Sequence, residues 1–173
     1  MGGITTNRAI NLRLGTPQPL SPVHCLDEFA CGESVLDDWL KRRARANQYT
    51  GASRTFVVAD ENHCVLGYYA MAAGAVAHPI ATGNVRRNMP DPIPVMVLAR
   101  LAVDGRAQGI KLGAALLKDA VQRAAMISEN AGVRALLVHA LHERAKRFYE
   151  YYGFRASPID PLTLMLRLNL VSP

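Results

Sequence analysis

The stretch LARLAVDGRAQGIKLGAALL, residues 98–117, limits what this chain can fold into more than any other. The almost wholly apolar run VMVLARLAVD ends at Asp104, as expected of a strand buried on both faces. A short turn holding Gly109 follows. Then Leu112, Leu116, Ala120, Ala124 and Ile127 fall on one face of a helix predicted from Leu112 to Glu129. A strand that turns straight into a helix brings unpartnered N–H groups and a positive dipole end to the turn, and both favour an anion. Gly109 and Gly113 make neither G-x-G-x-x-G nor a P-loop, since no G-K-[ST] follows. Lys111 and Arg106 add mobile cations. From these residues alone, a phosphate cradle and a plain tight turn with close packing both fit.

The flanking segments complete one mixed α/β domain. CGESVLDDWLKRRARANQ reads as a helix opened by a capping box, Ser34 with Asp37, and carrying Leu36, Trp39 and Leu40 on one face. RTFVVAD and CVLGYYAMAAGAVA read as a hairpin about the polar turn ENH. HPIATGNVRRNMPDPIP is a long Pro/Gly/Asn-rich connection, a kind of loop that is often functional. VRALLVHAL gives a second buried strand. HERAKRFYEYYGF gives a short helix with Ala145, Phe148, Tyr149 and Tyr152 on one side and Gly153 as its stop. LTLMLRLNL alternates, so Leu162, Leu164, Leu166, Leu168 and Leu170 are expected on one face of a half-exposed final strand. Residues 1–18 are polar and Pro/Gly-punctuated and are expected to fray, leaving a domain over 19–171.

A chain of 173 residues holds one well-buried core and is too short for two. No apolar run approaches the roughly 20 residues that cross a bilayer, and the basic-then-apolar layout of a secretory signal is absent. The opening MGGITT fits the myristoylation pattern, but no polybasic second anchor stands near it. Cys25, Cys31 and Cys64 are odd in number, which points to reduced thiols and a cytoplasmic location. Neither they nor His63 have zinc-ligand spacing, so no metal is expected. The net charge is +6, concentrated in KRRAR (Lys41 to Arg45), Arg86, Arg87, Arg100 and Arg106. Such clusters raise the odds of a polyanionic partner. The first also fits a helix C-terminus, where the dipole favours cations.

LAVDGRAQGIKLGAALL, followed by a helix, a strand and AKRFYEYYGF, resembles the GNAT family of acetyl-coenzyme A-dependent N-acetyltransferases. The family signature is Q/R-x-x-G-x-G/A. Gln108 and Gly113 match its ends, while Lys111 stands at the fourth position, normally glycine. VLDDWLK, SRTFVV, ATGNVRRNMPDPIPVMVLARLAVD, GVRALLVHAL and FYEYYGF extend the likeness over about residues 18–170. Together they resemble the GNAT toxins of bacterial type II toxin–antitoxin pairs. That resemblance implies a single GNAT domain with a mixed central sheet flanked by helices. It implies transfer of acetyl from acetyl-CoA to the free α-amino group of aminoacyl-tRNA, which blocks translation. It also implies a homodimer and a ribbon-helix-helix antitoxin, with DNA reached only through the antitoxin complex.

Carried over residue by residue, the resemblance makes Tyr149 the general acid for the leaving thiolate after direct attack by the amine. The alternative is a core tyrosine whose hydroxyl bonds a backbone carbonyl. Leu101, Ala102 and Val103 match the segment that pairs with the pantetheine arm. Gln108, Gly109, Lys111, Leu112, Gly113 and Ala114 match the pyrophosphate cradle. Arg45, Arg86, Arg87 and Arg100 match basic positions that line the acceptor groove, where planar guanidinium suits phosphate. A base is not obvious, and a free α-amino group near pKa ~8 needs little help. His139 is the one candidate, against the reading of a satisfied core histidine; His142 reads as helix-start surface. Two other readings share the loop: a GNAT enzyme of a small amine or protein N-terminus, and a non-catalytic module holding acetyl-CoA or an antitoxin.

Overall fold

The computed structural model describes residues 14–168. In chain order it contains β1 (Gln18–Pro19), α1 (Ser34–Arg42), α2 (Ala44–Thr50), β2 (Arg54–Ala59), β3 (Val65–Val76) and α3 (Gly83–Arg86). β4 (Ile93–Val103), a 3₁₀ turn (Gly105–Ala107), α4 (Leu112–Asn130), β5 (Ala135–His139), α5 (Glu143–Tyr151), β6 (Arg155–Ala156) and β7 (Thr163–Arg167) follow. The seven strands form one mixed sheet in the order β1-β2-β3-β4-β5-β7-β6. β4 and β5 run parallel, and the other strand pairs are antiparallel.

Both faces of the sheet are covered, which is why its central strands read as apolar runs rather than as alternation. On one face, Leu112, Leu116, Leu117, Ala120 and Ala124 of α4 and Tyr149 of α5 pack on Leu66, Tyr69, Leu98 and Val138. On the other face, α1 and α2 bury Leu36, Leu40 and Ala44 against Val57, Val65, Tyr68 and Ala102. Val85 of α3 packs beside them on Ile93, Val95, Leu137 and Met165. The result is the expected α/β domain with helices on both sides of a mixed sheet.

Several local expectations give way to tertiary packing. The first helix begins after Glu33 without a side-chain cap, and the Asp37 carboxylate instead accepts the Cys31 amide at 2.9 Å. The helix breaks at Arg43, between Leu40 and Ala44, which are both fully buried. The cationic run is thus shared between α1 and α2. The long connection carries the short helix α3. The final strand is covered on both faces: Leu164 packs under α5, Met165 packs under α3, and β6 folds back along the outer edge. Gln18, the last residue of the segment expected to fray, pairs with Val57, and Pro19 beside it pairs with Phe56. The remaining residues of that segment up to 13, with MGGITT, and Leu170 lie outside the described residues.

The segment before α1 is strapped to the end of β4. Asp104, buried, accepts the Ala30 amide at 3.0 Å and the Arg106 Nε at 2.8 Å, while the Gly105 amide bonds Ala30 O at 2.8 Å. Burial alone would raise the Asp104 pKa. The Arg106 guanidinium and the two amides outweigh it and hold the carboxyl below the usual range. A carboxyl depressed in the folded state adds stability above its unfolded pKa and loses it as pH falls through its folded pKa. Asp104→Ala should therefore lower the unfolding free energy by about 2 kcal/mol at neutral pH. The difference from wild type should shrink in acid below about pH 4, as followed by urea unfolding at several pH values.

Candidate active site

The site begins with a register fault. Ala70 pairs with Arg100 but Met71 with Leu98, so Ala99 is an extra residue in β4. Such a bulge bends its strand and strengthens its twist. On its other edge, β4 pairs with β5 only through Met96, Val97 and Leu98. β5 ends at His139 while β4 runs on to Val103. The two strands part, and the gap opens a cleft of about 990 Å³. Leu101–Val103, Gln108, Gly109 and Lys111–Ala114 all line it, as do Arg100 and Tyr149.

The Gln108 side chain is anchored in the cleft wall. Its amide nitrogen donates to Cys31 O and Val103 O, each at 2.9 Å, and so ties the strap to the loop. Gly109 takes φ +82, a region open to glycine. Lys111 takes φ +64. At the position where the signature has glycine, the chain thus holds a residue with a Cβ in the left-handed region. Each such residue costs about 1–2 kcal/mol. Gly113 has room for a methyl, with Val103 Cγ2 at 3.7 Å and Phe148 Cζ at 3.9 Å.

Tyr149 is buried, and desolvation pushes its phenol well above the usual range, so it stays protonated at neutral pH. The two other buried tyrosines are occupied: Tyr68 donates to Leu36 O at 2.7 Å and Tyr69 to Asp119. Among the described residues, nothing accepts a hydrogen bond from the Tyr149 hydroxyl, which lines the cleft. Its ring is held edge-on by Phe148 and Phe154. The same cleft holds Cys31, whose thiol is pushed up to about 11 by burial and by Asp37, so it presents no thiolate at neutral pH.

Arg100 enters from the α1 side. Its guanidinium lies 5.3 Å from the centroid of the Trp39 ring, which stacks on Tyr68, and one terminal nitrogen donates to Ala99 O at 2.6 Å. Its buried Nε has no hydrogen-bond partner among the described residues. Arg45, Arg86 and Arg87 stand apart from the cleft. Arg45 donates to His24 O and Ser21 O, and Arg86 and Arg87 are exposed at the end of α3. All four arginines belong to the α1–α2–α3 face or to strand residues that point there.

The sequence reading misses the third wall, formed by Cys31, Gly32, Glu33 and Val35. No local pattern marks it, because it reaches the cleft only through the strap to Asp104 and Gln108. His142 is helix-start surface, as expected: exposed at the N-cap of α5, its ring accepts the Ala145 amide at Nδ1 and lies 3.1 Å from Glu33 through Nε2.

The acetyltransferase (GNAT) domain profile matches residues 52–156, more than half of the chain and the whole span from β2 to β6. The chain belongs to the GNAT acetyltransferases. A tRNA-acetylating toxin of Mycobacterium tuberculosis (strain ATCC 25618 / H37Rv) is 50% identical to it over 153 residues, 88% of this chain and 92% of that protein. AtaT complexed with acetyl-methionyl-tRNAfMet superposes with a TM-score of 0.82 at 26% identity, over 89% of this chain and 94% of the other. An AtaT mutant toxin bound to the C-terminus of the antitoxin AtaR and acetyl-CoA does so with 0.75 at 26%, over 90% and 93%.

A GNAT acetyltransferase holds its coenzyme in such a cleft. β4 offers an unpaired edge from Ala99 onward, which an extended amide-bearing arm can join as a strand. The opening of the 19-residue helix α4 offers free amides for a diphosphate, with Lys111 at the turn. The cleft residues fit the group. Lys111→Gly should remove the left-handed penalty, offset by glycine's greater freedom when unfolded. The expected net is a gain of up to about 1 kcal/mol, read from the urea midpoint at unchanged slope.

Proposed function

We propose that this chain transfers acetyl from acetyl-CoA to the free α-amino group of aminoacyl-tRNA, and so acts as a toxin that blocks translation. The observation that carries the reading is the free, protonated Tyr149 hydroxyl in the gap between β4 and β5, opposite a face that bears Arg45, Arg86, Arg87 and Arg100. The 50% identity to a tRNA-acetylating toxin supports the acceptor. A ribbon-helix-helix antitoxin, a homodimer and a cytoplasmic location belong to the same reading. No helix among the described residues is long and apolar enough to cross a membrane.

Bound acetyl-CoA supplies an activated thioester. The Leu101–Val103 backbone and the α4 opening orient it, with Gln108–Ala114 around the diphosphate. Tyr149 holds a proton at Oη and can release it toward a leaving sulfur. A thiol near pKa ~8.5 draws a proton from a phenol only when the two are held together, so proximity must do the work here. Direct attack by the amine belongs to this reading, and Cys31, kept as a thiol, offers no thiolate to compete with it. Arg100 holds the acceptor end near the gap, and the exposed arginines attract its phosphates.

Incubation with charged total tRNA and labelled acetyl-CoA should place label on the amino acid of one or more aminoacyl-tRNAs. Tyr149→Phe should lower turnover about 100-fold with little change in coenzyme affinity. Label on a small amine or a protein N-terminus instead would replace the acceptor. In the tRNA reading, affinity falls steeply as salt rises, and replacing Arg86 and Arg87 flattens that slope. Salt-indifferent activity that survives the replacement removes tRNA from the account.

A further inference from the structure

One ionisable side chain in the cleft has no part in the steps above. His139 is the last residue of β5; it is exposed and lines the cleft. Val138 and Ala140 point into the α4–α5 layer and Leu137 into the α3 layer, so alternation puts His139 on the α3 side, the side of Arg100. Tyr149 belongs to the opposite layer. The gap between β4 and β5 therefore has a phenol on one side and an imidazole on the other.

The sheet register sets His139 opposite Thr163, whose hydroxyl is buried. His139 Nδ1 lies 2.9 Å from Thr163 Oγ1, and Thr163 Oγ1 donates to Asp160 Oδ2 at 2.6 Å. A hydroxyl has one proton. Thr163 gives its own to Asp160 and can only accept from His139. Nδ1 therefore carries the ring hydrogen, and Nε2 presents its lone pair. Asp160 is itself held in place: its amide donates to Ser157 Oγ at 3.3 Å, and Thr163 N donates to Asp160 O at 3.1 Å. The Thr163 hydroxyl keeps the Asp160 carboxyl below the usual range, so it remains an acceptor. The other charged or titratable groups around the cleft are Arg100 on β4, Cys31 and Glu33 on the strap, Lys111 at the opening of α4, and His142, Arg144, Tyr149 and Tyr152 on α5 and its ends.

We propose that His139 removes a proton from the α-ammonium group of the acceptor through Nε2, with Thr163 and Asp160 as the positioning residues that fix its tautomer and ring. The inference rests on the aminoacyl acceptor proposed above. An α-amino group has a pKa near ~8, so much of it is protonated at neutral pH and has no lone pair to attack with. In the step, an N–H bond of the ammonium breaks and its electron pair stays on nitrogen. The proton bonds Nε2, and the imidazolium so formed still donates Nδ1–H to Thr163, whose proton remains directed at the Asp160 carboxylate.

Single-turnover acetylation of a purified charged tRNA tests this. His139→Ala should be about 10-fold slower than wild type at neutral pH, the amine that is already neutral setting the residual rate, with the acetyl-CoA concentration for half-saturation unchanged. Added imidazole should restore part of the rate in proportion to its concentration. Thr163→Val should lower turnover without a change in coenzyme binding. A wild-type rate in His139→Ala, or a loss that imidazole does not relieve, overturns the proposal. If wild type leaves charged tRNA unmodified, the acceptor reading fails by itself. The same variants and imidazole series are then read with a free amino-acid ester as the probe, and the same two results decide the role of His139.

Discussion

Past Leu98 and Val138, β4 and β5 share no hydrogen bonds, because Ala99 adds a residue to β4 and β5 stops at His139. Buried backbone groups are seldom left unpaired, so a strand edge opened inside a covered sheet calls for a partner. An extended ligand arm supplies one. The parting also makes a passage through the sheet, with one layer of helices on either side. Tyr149 comes from the α4–α5 layer, while Arg100 and His139 point to the α1–α3 layer. In the proposed reaction, one fault in register thus separates the place of the leaving group from the place of the incoming amine.

Rigidity around the passage comes from contacts distant in sequence. Asp104 joins the end of β4 to the strap before α1, Gln108 joins the same strap to the turn, and Trp39 holds the guanidinium of Arg100 against the sheet. Each fixes a cleft residue through a group that has no chemical task. The left-handed Lys111 shows the same priority from the other side. The turn geometry needed at the opening of α4 is kept although the residue there disfavours it.

The architecture was largely legible from the chain, because apolar periodicity reports burial directly. The run ending at Asp104 and the face Leu112–Leu116–Ala120–Ala124 define β4 and α4, and the cleft residues of both follow from that junction. The misses share one cause. The break at Arg43, the two-sided burial of Leu164 and Met165, and the wall at Cys31–Glu33 depend on what packs against each segment, and local pattern holds no record of it. The conformation of Lys111 and the tautomer of His139 lie further out of reach. The first is imposed by the turn, and the second by a hydroxyl 24 residues away.

The central claim is that an acyl group lies in the gap between β4 and β5 with the acceptor amine on the far side from Tyr149. The most direct measurement is a crystal structure with a bisubstrate ligand in which coenzyme A is joined through an acetyl bridge to the amino group of an aminoacyl-adenosine. The account predicts the coenzyme arm along Ala99–Val103, its diphosphate at Lys111–Ala114, its sulfur beside the Tyr149 hydroxyl, and the adenosine on the side of Arg100 and His139. A ligand bound outside the gap, or with both halves on the α4–α5 side, would contradict it.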